Sequence, residues 1–162
     1  MIQENAIHFP ENLELGEETS FVLECMLCSN SMVILEEKLY YYARRDGSLT
    51  KSKYNEKMFE QLNRLYLEKK KVYERYGFNN YPDDLCGYTM NHTLPILISN
   101  ELKSGKTIGE LVNVFKRMRE FEMLCEAFRH CSTGVIRSRI RYLVILLKYR
   151  LYFIVAVLCS LC

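Results

Sequence analysis

Hydrophobic and polar positions change period several times along this chain, and each change marks an element. Between Glu17 and Ser29, Phe21, Cys25 and Cys28 recur at i, i+4 and i+7, which places them on one face of a helix. Met32–Leu35 and Leu39–Arg44 are β-branched or aromatic runs divided by the acidic pair Glu36–Glu37, and they predict two short strands. Arg45–Asp46–Gly47–Ser48 predicts a turn, with Gly47 free to take a positive φ. From Lys51 to Tyr76 the period is helical again, with Met58, Leu62, Leu65, Val72 and Tyr76 near one stripe and Gly77 as the stop. Tyr81–Pro82–Asp83–Asp84 opens another helix, its aspartates favoured by the dipole of the first turn. Thr107–Cys131 and Val135–Leu161 predict two more. The expected fold class is mostly α with a small β-strand pair near the N-terminus.

Composition narrows the picture. The chain has 162 residues, the size of one ordinary domain, and no repeat or low-complexity segment. With 49% hydrophobic and 26% charged residues, it has material for a core and is not disordered in composition. A net charge of +2 supplies no global basic field, so nucleic acid is not an expected partner. The seven cysteines are an odd number, and Met1–Pro10 lacks the apolar core of a signal peptide. Reduced thiols and a cytoplasmic location are the expectation.

The local charge distribution is less even. From Arg137 to Cys162 there are five basic residues (Arg137, Arg139, Arg141, Lys148, Arg150) and no acidic one, and Leu151–Cys162 carries no charge. That apolar run is too short for a span of roughly 20 residues. Residues 137–162 are therefore expected as a basic-apolar helix lying on the inner face of the cell membrane. A buried C-terminal helix is the plain structural alternative.

The candidate chemistry lies in the first third. Phe9–Pro10, Leu13, Gly16–Glu17–Glu18–Thr19, Phe21, then Val33, Leu35, Glu37, Leu39–Tyr40–Tyr41–Tyr42, Arg45 and Gly47–Ser48 stand in a fixed order. That order resembles the acceptor-side half of bacterial family 2 glycosyltransferases, inverting GT-A enzymes with the pattern F-P-x-x-L-x-x-G-E-D-T-x-F … V-x-L-x-E-x-L-Y-Y-Y-x-x-R-x-G-S-x-T. The resemblance covers Ile7–Ser52 and implies an incomplete GT-A α/β domain, followed by C-terminal helices. It divides the chain into a transferase remnant (1–52), a helical region (53–136) and the basic-apolar helix (137–162). The family's opening strand and Asp-x-Asp metal pair have no match here, and Asp83–Asp84 is an adjacent pair in the wrong half. No cofactor is thus expected in this chain, although a divalent cation is expected for the complete family enzyme.

An inverting sugar transfer needs a carboxylate to accept the proton of the attacking acceptor hydroxyl. The family places this base on the second acid of its Gly-Glu-Asp step, so the resemblance assigns Glu18 as catalytic. Glu replaces the family's Asp there, which moves the carboxylate by one methylene, and a displacement near 1 Å can cost about 100-fold. The resemblance also implies Glu17, Arg45 and Ser48 as substrate-binding, with Arg45 suited to bidentate pairing with phosphate oxygens. Without the resemblance, Glu17 and Glu18 are first-turn helix acids and Arg45 is a solvated turn residue. The implied partners are a nucleotide-sugar donor and a glycan acceptor of the cell surface.

Other motifs carry less. Cys25-x-x-Cys28 and Cys159-x-x-Cys162 resemble halves of a zinc site, but they sit on an apolar helix face and in an apolar tail. His8, His92 and His130 are far apart in the chain. Gly105–Lys106–Thr107 lacks the upstream glycine of a phosphate-binding loop and predicts a helix-to-helix turn. Three functions stay open on these grounds: the C-terminal part of a sugar transferase, inactive without its donor half; a non-catalytic helical module that docks on a membrane or partner; and a thiol or metal protein. An Asp-x-Asp motif upstream would favour the first, and stoichiometric zinc the third.

Overall fold

A computed structural model describes residues 1–41, 54–78 and 81–161, and every regular element among them is a helix. The order is α1 (Glu17–Leu27), α2 (Met58–Arg75), α3 (Tyr81–Tyr88), a π-helical segment (Thr89–Thr93), α4 (Leu94–Leu102), α5 (Ile108–Arg117), a 3₁₀ turn (Met118–Glu120), α6 (Glu122–His130), α7 (Ser138–Lys148) and α8 (Tyr152–Ser160).

The expected strand pair and the sheet of an α/β domain are absent from the described residues. Residues 30–41 run outside regular structure, and Val33, Ile34, Leu39, Tyr40 and Tyr41 are at least 77% exposed. The Leu39 N–H donates to the Glu37 carbonyl at 3.1 Å, a local turn rather than a ladder. β-propensity reflects fit to a pleated, half-buried surface, and among the described residues no neighbouring strand provides one. Residues 42–44, the end of the second expected strand, lie outside the described residues.

The helical stripe after Lys51 does fold as read, from Met58. α2 buries Phe59, Leu62, Leu65, Tyr66 and Val72 in the core and turns Lys71 outward. Gly77 ends it at φ +71°, with the Phe78 N–H donating to the Tyr73 carbonyl at 3.1 Å. Between α3 and α4 the helix widens into the π segment just ahead of Pro95. Proline has no N–H for the preceding turn, which favours such local rewinding. At Gly105–Thr107 the helix-to-helix turn forms as expected. Gly105 has φ +71°, and Thr107 and Glu110 make a reciprocal capping box.

The two long C-terminal helices expected from the sequence are each broken. Thr107–Cys131 becomes α5, the 3₁₀ turn and α6, because Phe121 takes an extended conformation and stacks on Phe59 with ring centres 5.1 Å apart. Asn63 of α2 accepts the Met123 N–H at 3.1 Å and caps the new helix start. Val135–Leu161 becomes α7 and α8, broken at Arg150, whose φ is +62°. Arg119 donates to the carbonyls of Leu147 (3.3 Å) and Lys148 (2.8 Å), satisfying the free end of α7. Both C-terminal helices join the common core, through Val144 and Leu147 of α7 and Val155 and Ala156 of α8. No helix among the described residues is long and apolar enough to cross a membrane.

Candidate functional site

α1 begins where the sequence places its Gly-acid-acid step. Gly16 adopts φ +76°, and its carbonyl accepts from Thr19 N–H (3.0 Å), Ser20 N–H (3.2 Å) and Thr19 Oγ1 (2.8 Å). The first turn then presents Glu17, half-buried, and Glu18, exposed. α1 is pinned on α2 by Glu24, which is buried and accepts from Arg75 and from Tyr76 Oη. The position of Glu18 thus follows from a left-handed glycine and from the ion pair that the buried Glu24, two turns further on, makes with the exposed Arg75.

Two clefts meet at Glu18. One, of about 440 Å³, lies between α1, α2 and α3 and is lined by Val22, Met26, Lys69, Tyr73 and Asp84 among others. The other, of about 490 Å³, lies between the start of α1, α2 and α4, with Leu65, Ile96, Asn100 and Lys103 in its wall. Glu18, Thr19 and Tyr88 line both.

Sequence reasoning missed the basic residue of this site. Lys69 is only 8% exposed, and its Nζ lies 4.3 Å from the centre of the Tyr88 ring. Burial pulls its amine below the ordinary lysine value, an effect partly offset by the charge of Glu18. In the sequence Lys69 is the first of three lysines on a polar stretch, and nothing marks it from Lys70 and Lys71. Only its place on the inward side of α2 does so. Burial, with Asp84 nearby, also raises Tyr73 above the usual phenol value. Tyr88 stacks on His92 at 5.0 Å, and His92 Nε2 lies 3.3 Å from Arg137 Nη2. The π segment sets this arrangement. It also turns Asn91 to donate to the Val135 carbonyl (3.0 Å) and to accept the Arg137 N–H (2.8 Å).

Of the residues implied by the resemblance, Glu17 and Glu18 are adjacent on α1, while Arg45 and Ser48 lie outside the described residues. Among the described residues no three His, Cys, Asp or Glu side chains converge as metal ligands. Glu18 and Asp84 at the first cleft therefore do not fit a divalent cation by themselves. Among the described residues, Cys25, Cys28 and Cys159 join no such cluster either. Cys28 donates to the Cys25 carbonyl at 3.5 Å, burial raises Cys25 above its ordinary value, and Cys162 is outside the described residues.

Comparison with known proteins adds a direction. The chain is 28% identical over 151 residues to the uncharacterized glycosyltransferase EpsJ of Bacillus subtilis, covering 91% of this chain and 44% of that protein. It is 36% identical over 55 residues to the poly(ribitol-phosphate) beta-N-acetylglucosaminyltransferase TarS of Staphylococcus aureus, covering 33% of this chain and 10% of that protein. The chain is similar to glycosyltransferases. It spans less than half the length of these curated relatives. No family model matches the chain, and no solved structure matches it.

Proposed function

We propose that this chain is the C-terminal, acceptor-side part of an inverting family 2 glycosyltransferase, which transfers a sugar from a nucleotide-sugar donor to a cell-surface polysaccharide or glycan. The observation that carries this reading is the position of Glu18. It is an exposed carboxylate on the first turn of α1, at the meeting of two clefts and facing a buried lysine. The similarity to proteins named glycosyltransferases supports the same class.

In this reading the acceptor lies in the clefts, and Glu18 takes the proton from its hydroxyl as that oxygen attacks the anomeric carbon. Lys69 holds positive charge behind Glu18, and Tyr88 lines both clefts beside them. Glu17, Arg45 and Ser48 bind substrate, with Arg45 and Ser48 contacting the departing diphosphate. These 162 residues contain no Asp-x-Asp pair, and alone they transfer no sugar.

The test is a chimera joining this chain to the part of the Bacillus subtilis relative that it does not cover, assayed with a panel of nucleotide sugars. Transfer is expected from the chimera and not from the chain alone. Glu18→Gln is expected to lower transfer by at least about 100-fold, while Glu17→Gln retains measurable turnover. Full activity in the Glu18→Gln chimera would remove Glu18 from the base role. A second reading, a non-catalytic module that docks on a membrane or partner, is favoured by one observation: the exposed apolar outer face of α8.

A further inference from the structure

α8 (Tyr152–Ser160) is apolar on every side but is buried on only one. Val155 and Ala156 are fully buried in the core, with Tyr152 and Cys159 packed at its edge. Phe153, Ile154 and Leu158 of α8 and the following Leu161 face outward, 66%, 45%, 46% and 80% exposed. A helix on the surface of a soluble domain normally turns polar residues outward, so this face is built for an apolar partner.

Charge indicates which partner. Residues 137–162 carry five basic residues and no acid. Two of the five, Lys148 and Arg150, stand exposed at the turn that leads into α8. The turn is a fixed feature, with Arg150 at φ +62° and the last carbonyls of α7 held by Arg119. Tyr142 and Tyr149 are 79% and 73% exposed beside these basic residues. Amphipathic rings of this kind favour the boundary between headgroups and acyl chains. Apolar face, basic turn and exposed tyrosines together match a bilayer with anionic headgroups. At nine residues, α8 is about 14 Å long, which suits a helix lying in the boundary rather than crossing it.

We propose that the outer face of α8 and the basic α7–α8 turn form a docking surface for an anionic lipid bilayer. Phe153, Ile154 and Leu158 enter the headgroup–acyl boundary, and Lys148 and Arg150 contact lipid phosphates. The one continuous helix expected over 137–162 is replaced by two, and only the second offers a broad apolar face. This surface is independent of sugar transfer, and its test uses the chain alone.

The experiment is flotation of the purified chain with vesicles of phosphatidylcholine, and with vesicles of an equimolar mixture of phosphatidylcholine and phosphatidylglycerol. Binding to the mixed vesicles is expected, with weak binding to phosphatidylcholine. Phe153→Ser with Leu158→Ser, and separately Lys148→Glu with Arg150→Glu, are each expected to lower the partition coefficient at least about tenfold. All four side chains are exposed, and an unchanged circular dichroism spectrum checks the fold of each variant. High salt is expected to weaken binding without abolishing it, because only the charge contribution is screened. Absence of flotation, equal binding to both vesicle types, or wild-type binding by either double variant would overturn the proposal. So would a lipid-free dimer, seen by sedimentation, that Phe153→Ser with Leu158→Ser dissociates, since the face would then join two copies of this chain.

Discussion

Gly16 has φ +76°, and a Cβ added there would lie 2.5 Å from Leu65 Cδ2. The Leu65 methyl can rotate part of the way aside, whereas the left-handed backbone costs a non-glycine residue about 1–2 kcal/mol. Gly16→Ala is thus expected to destabilise the chain by about 1–3 kcal/mol in urea unfolding. A loss under about 0.5 kcal/mol would mean that the start of α1 relaxes freely. Lys69 makes the opposite prediction. Its amine is held below the ordinary lysine value by burial, so the folded state binds this proton more weakly than the unfolded state does. Stability therefore rises with pH through the lowered folded value towards the unfolded one near 10.4. Lys69→Met is expected to stabilise the chain at neutral pH by about 1 kcal/mol, a gain that disappears towards pH 11. The same variant in the active chimera is expected to lower transfer. Greater stability with weaker catalysis is the mark of a buried charge kept for function.

Among the elements, α6 depends most plainly on contacts from elsewhere in the chain. Its start is capped by Asn63 from α2, so Asn63→Ala is expected to cost about 1 kcal/mol. That loss should appear as faster amide exchange in the first turn of α6. α6 is also tied to α2 through Glu126, which accepts from Tyr66 and pairs with Lys70 at 2.7 Å, and through Glu122, which pairs with Lys70 at 2.8 Å. Burial opposes ionisation of Glu126, but the bonds from Lys70 and Tyr66 outweigh it and hold this carboxyl below its ordinary value. A carboxyl lowered in the folded state contributes stability above its unfolded pKa and loses it as pH falls through the folded one. Acid unfolding of the wild type should therefore include a component below about pH 4.3 that Glu126→Gln lacks. An identical stability–pH curve for the variant would show that the α2–α6 pair contributes nothing to it.

Over the whole molecule, core and periphery differ in how firmly they are held. The helices from α2 to α8 share one core, while residues 30–41 expose a run of large apolar side chains among the described residues. Hydrogen exchange is expected to be fast across Met32–Tyr41 and slow across α2, α4 and α6. Equal protection in both regions of a monomer would show that this segment pairs in solution.

The helix at α1, the stripe of α2, the stop at Gly77 and the capped turn at Thr107 are legible in the sequence, because spacing, positive-φ glycines and caps act over a few residues. The Phe21, Cys25 and Cys28 face of α1, by contrast, is only partly buried, and Ser20 and Glu24 face inward instead. The Gly-acid-acid step is likewise legible as the start of a helix. Strand formation at Met32–Leu35 is not, since a strand is stabilised by a neighbour that local sequence does not specify. The breaks at Phe121 and Arg150 depend on Asn63, Phe59 and Arg119, each more than 25 residues away in sequence, and no periodicity encodes such a partner. Lys69 is the clearest case. Its residue type alone predicts a solvated face, and only the packing of α1 and α3 against α2 encloses it beside Glu18 and Tyr88.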